Sequence, residues 1–196
     1  FGWLNGSIEY YNKTSAALLL EKPLAPSTGF ENAISNLGGM RNQGIEIDLH
    51  STNINTKDFT WTTDFNIAFN NNKITSYPQK EEVVGTKIRT VGYSIYEFYM
   101  QEWAGVDPVN GDPLWYMDVT DDKGNPTGER TTTNTYSKAT KYKLGSALPS
   151  ATGGLTNTVS WKGVDFSFMF TYGFGGKIYD VYEENLLNDG NKTGYQ

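Results

Sequence analysis

Cysteine is absent from the 196 residues, histidine occurs once, and neither a Lys/Arg cluster nor a long apolar run is present. The first absence excludes disulfides and thiolate metal sites and leaves the compartment open. With His50 as the only histidine, no His-based metal cluster or Ser-His-Asp triad can be assembled within this stretch, and His50 reads as a strand end beside a turn. The net charge of -6, with no basic patch to offset it, would repel a phosphate backbone, so nucleic acid is not an expected partner. No apolar segment approaches the ~18 residues of a membrane-crossing helix. That absence does not exclude a membrane barrel, whose strands present only alternate residues to lipid and therefore leave mean hydropathy low, here -0.53. Charged residues make up 19% of the chain, against roughly 25% in soluble domains.

What the chain has instead is aromatic residues (14%) and 21 glycines, a composition that favours many strands separated by turns over helices. Residues 59–70 put Phe59, Trp61, Phe65, Ile67 and Phe69 on one parity and Thr60, Thr62, Asp64, Asn66 and Asn70 on the other. Period-two alternation sends successive side chains to opposite sheet faces, and about ten residues is the length of a tilted membrane strand. The pattern returns at 164–174, where Val164, Phe166, Phe168, Phe170, Tyr172 and Phe174 alternate with Asp165, Ser167, Met169, Thr171 and Gly173. The expected fold is all-β, an antiparallel transmembrane β-barrel segment. Phe59, Trp61, Phe65, Ile67, Phe69, Phe166, Phe168, Phe170 and Tyr172 are expected to face lipid, and Asp64, Asn66 and Asn70 the lumen.

About seven strands are expected, at 7–20, 44–50, 59–70, 93–104, 114–119, 155–161 and 164–174. Their connections alternate in length. Lys162-Gly163, Ser51 to Asp58, and the segment 105–113 with Pro108, Pro113 and Asn110-Gly111 are short, whereas 21–43, 71–92 and 120–154 are long and polar. Barrels of the outer membrane have short periplasmic turns and long extracellular loops. On that pattern 44–50, 93–104 and 155–161 run downward, the other four upward, and Trp61, Trp161 and Phe166 lie near the periplasmic rim.

Several phrases resemble the SusC/RagA family of TonB-dependent transporters of the Bacteroidota outer membrane. They are Gly6-Ser-Ile-Glu-Tyr-Tyr-Asn-Lys-Thr14 with Leu18-Leu-Leu20, Asn42-Gln-Gly-Ile-Glu-Ile-Asp-Leu49, and Phe65-Asn-Ile-Ala-Phe-Asn-Asn-Asn-Lys-Ile74. Further on come Glu102-Trp-Ala-Gly-Val-Asp-Pro-Val-Asn-Gly-Asp-Pro-Leu-Trp-Tyr116, Gly153-Gly154-Leu-Thr-Asn157, and Trp161-Lys-Gly-Val-Asp-Phe-Ser167 leading to Phe174-Gly-Gly-Lys-Ile-Tyr-Asp180. The resemblance implies the C-terminal half of a large plugged barrel of roughly 22 strands. It implies that the signal peptide, N-terminal extension, plug and remaining strands lie outside these residues. It also implies an active importer of oligosaccharides or glycans, or of peptides, driven by TonB and the inner-membrane motor and closed by a SusD-like surface lipoprotein. A soluble all-β carbohydrate-binding module is the alternative.

Among polar constellations, Asp118, Thr120, Asp122 and Glu129 fall at positions 1, 3, 5 and 12 of a calcium loop, with Asn125 nearby. Lys123 stands where such a loop needs glycine, which favours a solvated loop over a calcium site. The pairs Glu81-Glu82 and Glu183-Glu184 offer no pair of acids at catalytic separation, because neighbours on a strand face opposite ways. The Gly38-Gly39 and Gly175-Gly176 pairs lack the Lys and Ser/Thr of a phosphate-binding loop. No enzymatic activity and no cofactor are expected. The aromatic rings of Tyr93, Tyr96, Tyr99, Trp115 and Tyr116 form the candidate substrate-binding group, since flat apolar faces with polar edges suit sugars, although aromatics also build barrel girdles.

Overall fold

The computed structural model describes residues 2–186. Strand β1 (Leu4–Ala16) is followed by a short hairpin of β2 (Leu19–Pro23) and β3 (Asn32–Asn36), then by β4 (Gly39–Asn55) and β5 (Phe59–Ser76). A long insertion carries β6 (Glu81–Val84), β7 (Lys87–Thr90), β8 (Glu97–Gln101), β9 (Trp103–Val106), β10 (Pro113–Thr120), β11 (Pro126–Thr133) and β12 (Lys141–Ser146). The chain returns with β13 (Ala151–Trp161) and β14 (Val164–Phe174), and a single helical turn and a half, α1 (Val181–Leu186), follows.

The main sheet has five strands in the order β1-β4-β5-β13-β14, every neighbouring pair antiparallel. At one end its links are the segment 56–58 and Lys162-Gly163. The latter turn has φ of 48° and 87°, the positive values of the two-residue turn that matches strand twist. At the other end the links are 17–38 and the whole insertion, so short and long connections alternate as the sequence predicts.

The strand count differs from expectation. Residues 93–104 and 114–119 are not wall strands: β8 pairs with β7 and β12, and β10 with β9 and β11, in two separate sheets of the insertion. The strand beside β5 is β13. Five residues of β8 extend only about 17 Å, too little to cross a tilted apolar band about 25 Å tall. The segment 105–113 does join two strands as a hairpin, with Pro113 opposite Val106, but within the insertion. Wall strands also run longer than expected. His50 lies inside β4, not at its end, and β5 continues six residues beyond Asn70.

Buried apolar side chains lie mostly in the insertion, which meets the top of β5 around Ile74. Ile88 is fully buried, and Phe98, Ile74 and Ala139 are nearly so. Asn72 anchors the junction: its Oδ1 accepts from the Ile95 N–H (3.0 Å) and the Ser94 hydroxyl (3.3 Å), while its Nδ2 donates to Asn42 (2.7 Å). Ile74 exchanges backbone bonds with Tyr93 and Gly92. Both Asn72 and Ile74 are even-numbered residues of β5, so the insertion lies over the polar face of the sheet.

Candidate functional site

Register decides which side chains share a face. On one face Ile8 and Tyr10 of β1 lie beside Ile47 and Ile45 of β4, and these beside Ile67 and Phe69 of β5. One row down, Leu49, Phe65, Leu155 and Phe170 lie side by side across β4, β5, β13 and β14. Nearer the short turns come Trp61, Val159 and Phe166, then Phe59, Trp161 and Val164. The expected lipid-facing residues therefore fall on one continuous surface. Among the described residues no second sheet covers it, and Ile8 (75%) and Phe170 (62%) remain largely exposed. From Phe59 to Phe69 is ten steps of ~3.4 Å; at a tilt of ~40° this gives an apolar band of about 26 Å, the height of a membrane barrel's outer belt. Trp61, Trp161 and Phe166 sit at its short-turn end, as expected.

One polar row interrupts this face and is satisfied within itself. Asn157, 9% exposed, accepts at Oδ1 from the Trp61 indole N–H (2.9 Å) and the Thr63 hydroxyl (2.7 Å), and Asn53 donates to Thr63 (2.7 Å). In hydrocarbon an unpaired polar group costs several kcal/mol, so such closure is what a lipid-facing row requires. Tyr172 follows the same rule. Its ring lies over Gly153, which has no side chain, and its hydroxyl donates to the Asn66 carbonyl at 2.7 Å.

The opposite face carries Glu9, Glu46, Asp48, Asp64, Asn66, Asn70 and Thr156, with Tyr11 donating to Asn70 (2.9 Å). Asp64, Asn66 and Asn70 thus share one polar surface. Asp64 meets His50 at 2.6 Å, both about half exposed, a pair worth no more than about 1 kcal/mol.

The five expected substrate-binding aromatics do not form one group. Trp115 packs edge-on against Trp103 (5.8 Å between centroids) and Tyr136 (5.2 Å). Tyr116 is on the other face of β10, beneath the Arg130 guanidinium, which is 4.1 Å from its ring and 4.2 Å from that of Tyr142. Glu102 pins Arg130 at 2.6 Å, and Tyr142 donates to Asp118 at 2.6 Å. Burial and the Asp118 hydrogen bond push the Tyr142 phenol up, and Glu102 raises Arg130. Tyr93 stacks under Lys143 (4.1 Å), half exposed like Tyr96, and Tyr99 stands directly opposite Lys143 in the β8–β12 pair, away from Trp115 and Tyr116 on β10. Trp103, Tyr136, Arg130 and Tyr142 were not legible as partners, because each comes from a different strand or turn of the insertion. Replacing Arg130 with alanine should loosen the β10–β11 hairpin, so that protease cleavage within 120–126 of the folded protein quickens several-fold while cleavage elsewhere does not.

The calcium pattern does not assemble. Asp118 is engaged by Tyr142, and the loop is organised by Asp121, whose Oδ1 accepts from the Lys123 and Asn125 N–H groups. Among the described residues no three His, Asp or Glu side chains gather as a metal site.

No family model matches the chain. It is 30% identical to TonB-dependent receptor SusC of Bacteroides thetaiotaomicron over 96% of this chain and 20% of that protein. It is 29% identical to TonB-dependent receptor P3 of Formosa agariphila over 88% of this chain and 19% of that one. The fold superposes on the RagAB peptide importer in its open-open state with a TM-score of 0.78 at 28% identity, and in its closed-closed state with 0.74 at 29%, covering 89% of this chain and 19% of that one each time. The chain spans about a fifth of the length of the curated relatives it matches. By sequence and by fold together, this chain is a stretch of antiparallel β-barrel related to the SusC/RagA type of TonB-dependent receptor.

Proposed function

We propose that this chain forms part of the wall and outer loops of an outer-membrane transporter that imports nutrients, oligosaccharides or peptides, with energy delivered by TonB and the inner-membrane motor. The observation that carries the reading is the two-faced sheet: a mainly apolar belt about 26 Å tall, broken by one internally hydrogen-bonded polar row, on one side, and a polar face on the other. The folded insertion lies over the polar face at the end opposite the short turns, where a lumen would open to the outside. A SusD-like surface lipoprotein is the proposed partner there, and membrane lipid the partner of the belt. The soluble carbohydrate-binding alternative has no support from the uncovered apolar face, which a soluble module would bury.

Uptake tests this reading. Cells lacking the full-length gene should lose import of an oligosaccharide or peptide class that wild-type cells accumulate, and dissipating the proton gradient should abolish import in the wild type. Recovery of the full-length product in a soluble fraction without detergent, or uptake indifferent to energisation, would contradict it.

A further inference from the structure

The apolar belt ends at the row Tyr10, Ile45, Phe69. Above it on the same face comes a neutral polar row, Asn12, Gln43, Asn71, and then Thr14, Arg41, Lys73. Arg41 and Lys73 are direct cross-strand partners. Like charges placed directly opposite on one sheet face destabilise it. Neither cation makes an ion pair with a described residue.

Charge is segregated between the two faces. The acids of the wall strands, Glu9, Glu46, Asp48, Asp64 and Asp165, all stand on the polar parity, and the outward parity of the five strands carries no carboxylate. In a chain with 22 acidic and 16 basic residues, two adjacent unpaired cations on the acid-free face call for an anion from outside the chain. The insertion does not supply it: none of its described carboxylates pairs with either cation, and the side-chain bonds that tie it to β5 are made by Asn72 on the other face.

Position identifies the class of anion. Lys73 is four residues above Phe69, about 13 Å along the strand and about 10 Å along the membrane normal at a ~40° tilt. Long cationic side chains bend back toward the interface, and the headgroup layer occupies roughly 5–8 Å on each side of the hydrocarbon. One row below the cations, a shallow groove bordered by Tyr10, Gln43, Ile45, Phe69, Asn71 and Ser150 opens at the top of the belt.

Resting on the membrane reading above, we infer that Arg41 and Lys73 form a docking site for the phosphate of an outer-leaflet lipid, whose acyl chains run down the Tyr10, Ile45 and Phe69 rows. The lipid headgroup neutralises the like-charge pair, so the site couples barrel stability to the anionic lipid around it. A polar headgroup contact of this kind contributes about 1 kcal/mol per cation, so losing both should weaken binding about thirtyfold.

The test compares full-length wild-type protein with Lys73→Gln and with Arg41→Gln/Lys73→Gln, each reconstituted in vesicles of phosphatidylcholine alone or of phosphatidylcholine with phosphatidylglycerol. In the neutral vesicles both variants should unfold at or above the wild-type temperature, because a repulsion has been removed. In the anionic vesicles the order should reverse, and native mass spectrometry should find phosphatidylglycerol retained about thirtyfold less by the double variant. Excess inorganic phosphate should not displace the lipid. The inference is overturned if the variants behave like wild type in both vesicles, or if inorganic phosphate competes as well as the lipid. Failure of every protein, wild type included, to insert would instead sink the membrane reading.

Discussion

Phe170→Arg should lower the stability of the full-length barrel in a bilayer by about 2–4 kcal/mol, whereas Thr171→Arg, one residue on, should cost about 0–1 kcal/mol. Phe170 sits in the row of Leu49, Phe65 and Leu155, midway along the apolar belt, and 62% of its surface is open on that side. A guanidinium placed there must leave water for hydrocarbon, and at mid-depth snorkelling to either interface is longest. Thr171 points to the polar face, beside Gly154, where a charge stays hydrated. Unfolding by denaturant in vesicles reads both variants on one scale. Equal costs at the two positions would show that β14 does not separate lipid from lumen.

Gly44→Val should be comparably damaging for a different reason. A Cβ at Gly44 would stand 1.9 Å from the Phe69 carbonyl oxygen, 2.7 Å from the Tyr11 hydroxyl and 2.8 Å from the Tyr11 ring. The tyrosine could swing away at the cost of its bond to Asn70, but the carbonyl belongs to the β4–β5 ladder and cannot move without opening it. Overpacking of this kind costs about 1–3 kcal/mol, and a backbone obstacle puts Gly44 at the upper end of that range. The tyrosine ring laid over glycine is itself stabilising, since it covers backbone the glycine leaves bare. The informative comparison is Tyr11→Ala/Gly44→Val. Relief of the ring contact alone should recover little stability, and full recovery would show that the strand, not the side chain, had room to give. Gly153 repeats the geometry on the outer face, with Asn66 O at 2.2 Å and the Tyr172 hydroxyl at 2.6 Å from an added Cβ.

Much of the wall was legible because lipid imposes a simple rule on a strand. Residues 164–174 alternate through their whole length, and β14 occupies those same residues. The alternation of β5 ends at Phe69, yet pairing continues through Asn71, Asn72 and Lys73 to Ser76, because backbone pairing does not require apolar side chains. Apolar alternation therefore marks the end of the apolar face, not the end of the strand. Residues 93–104 and 114–119 failed differently. Their composition does specify strands, but period two does not say which sheet a strand joins, and strands this short suit small sheets of the insertion. The candidate binding group suffered most. Trp115 and Tyr116 are neighbours in sequence and so face opposite ways, and their real partners, Trp103 with Tyr136 and Arg130 with Tyr142, are set by the register of successive strands and turns, which side-chain type does not specify.

The lack of native cysteine in this stretch makes the decisive measurement simple. Single cysteines placed at each residue from 61 to 69 and from 164 to 172 of the full-length receptor in cells or vesicles would be labelled with a membrane-impermeant maleimide, and fluorophores at the same sites quenched by a lipid-borne quencher. Lipid quenching should be strong at odd positions of β5 and even positions of β14, with aqueous labelling strong at the intervening positions. Uniform labelling with no period of two, or a period in which Phe65 and Phe170 fall on the aqueous side, would contradict the two-faced wall on which the whole account rests.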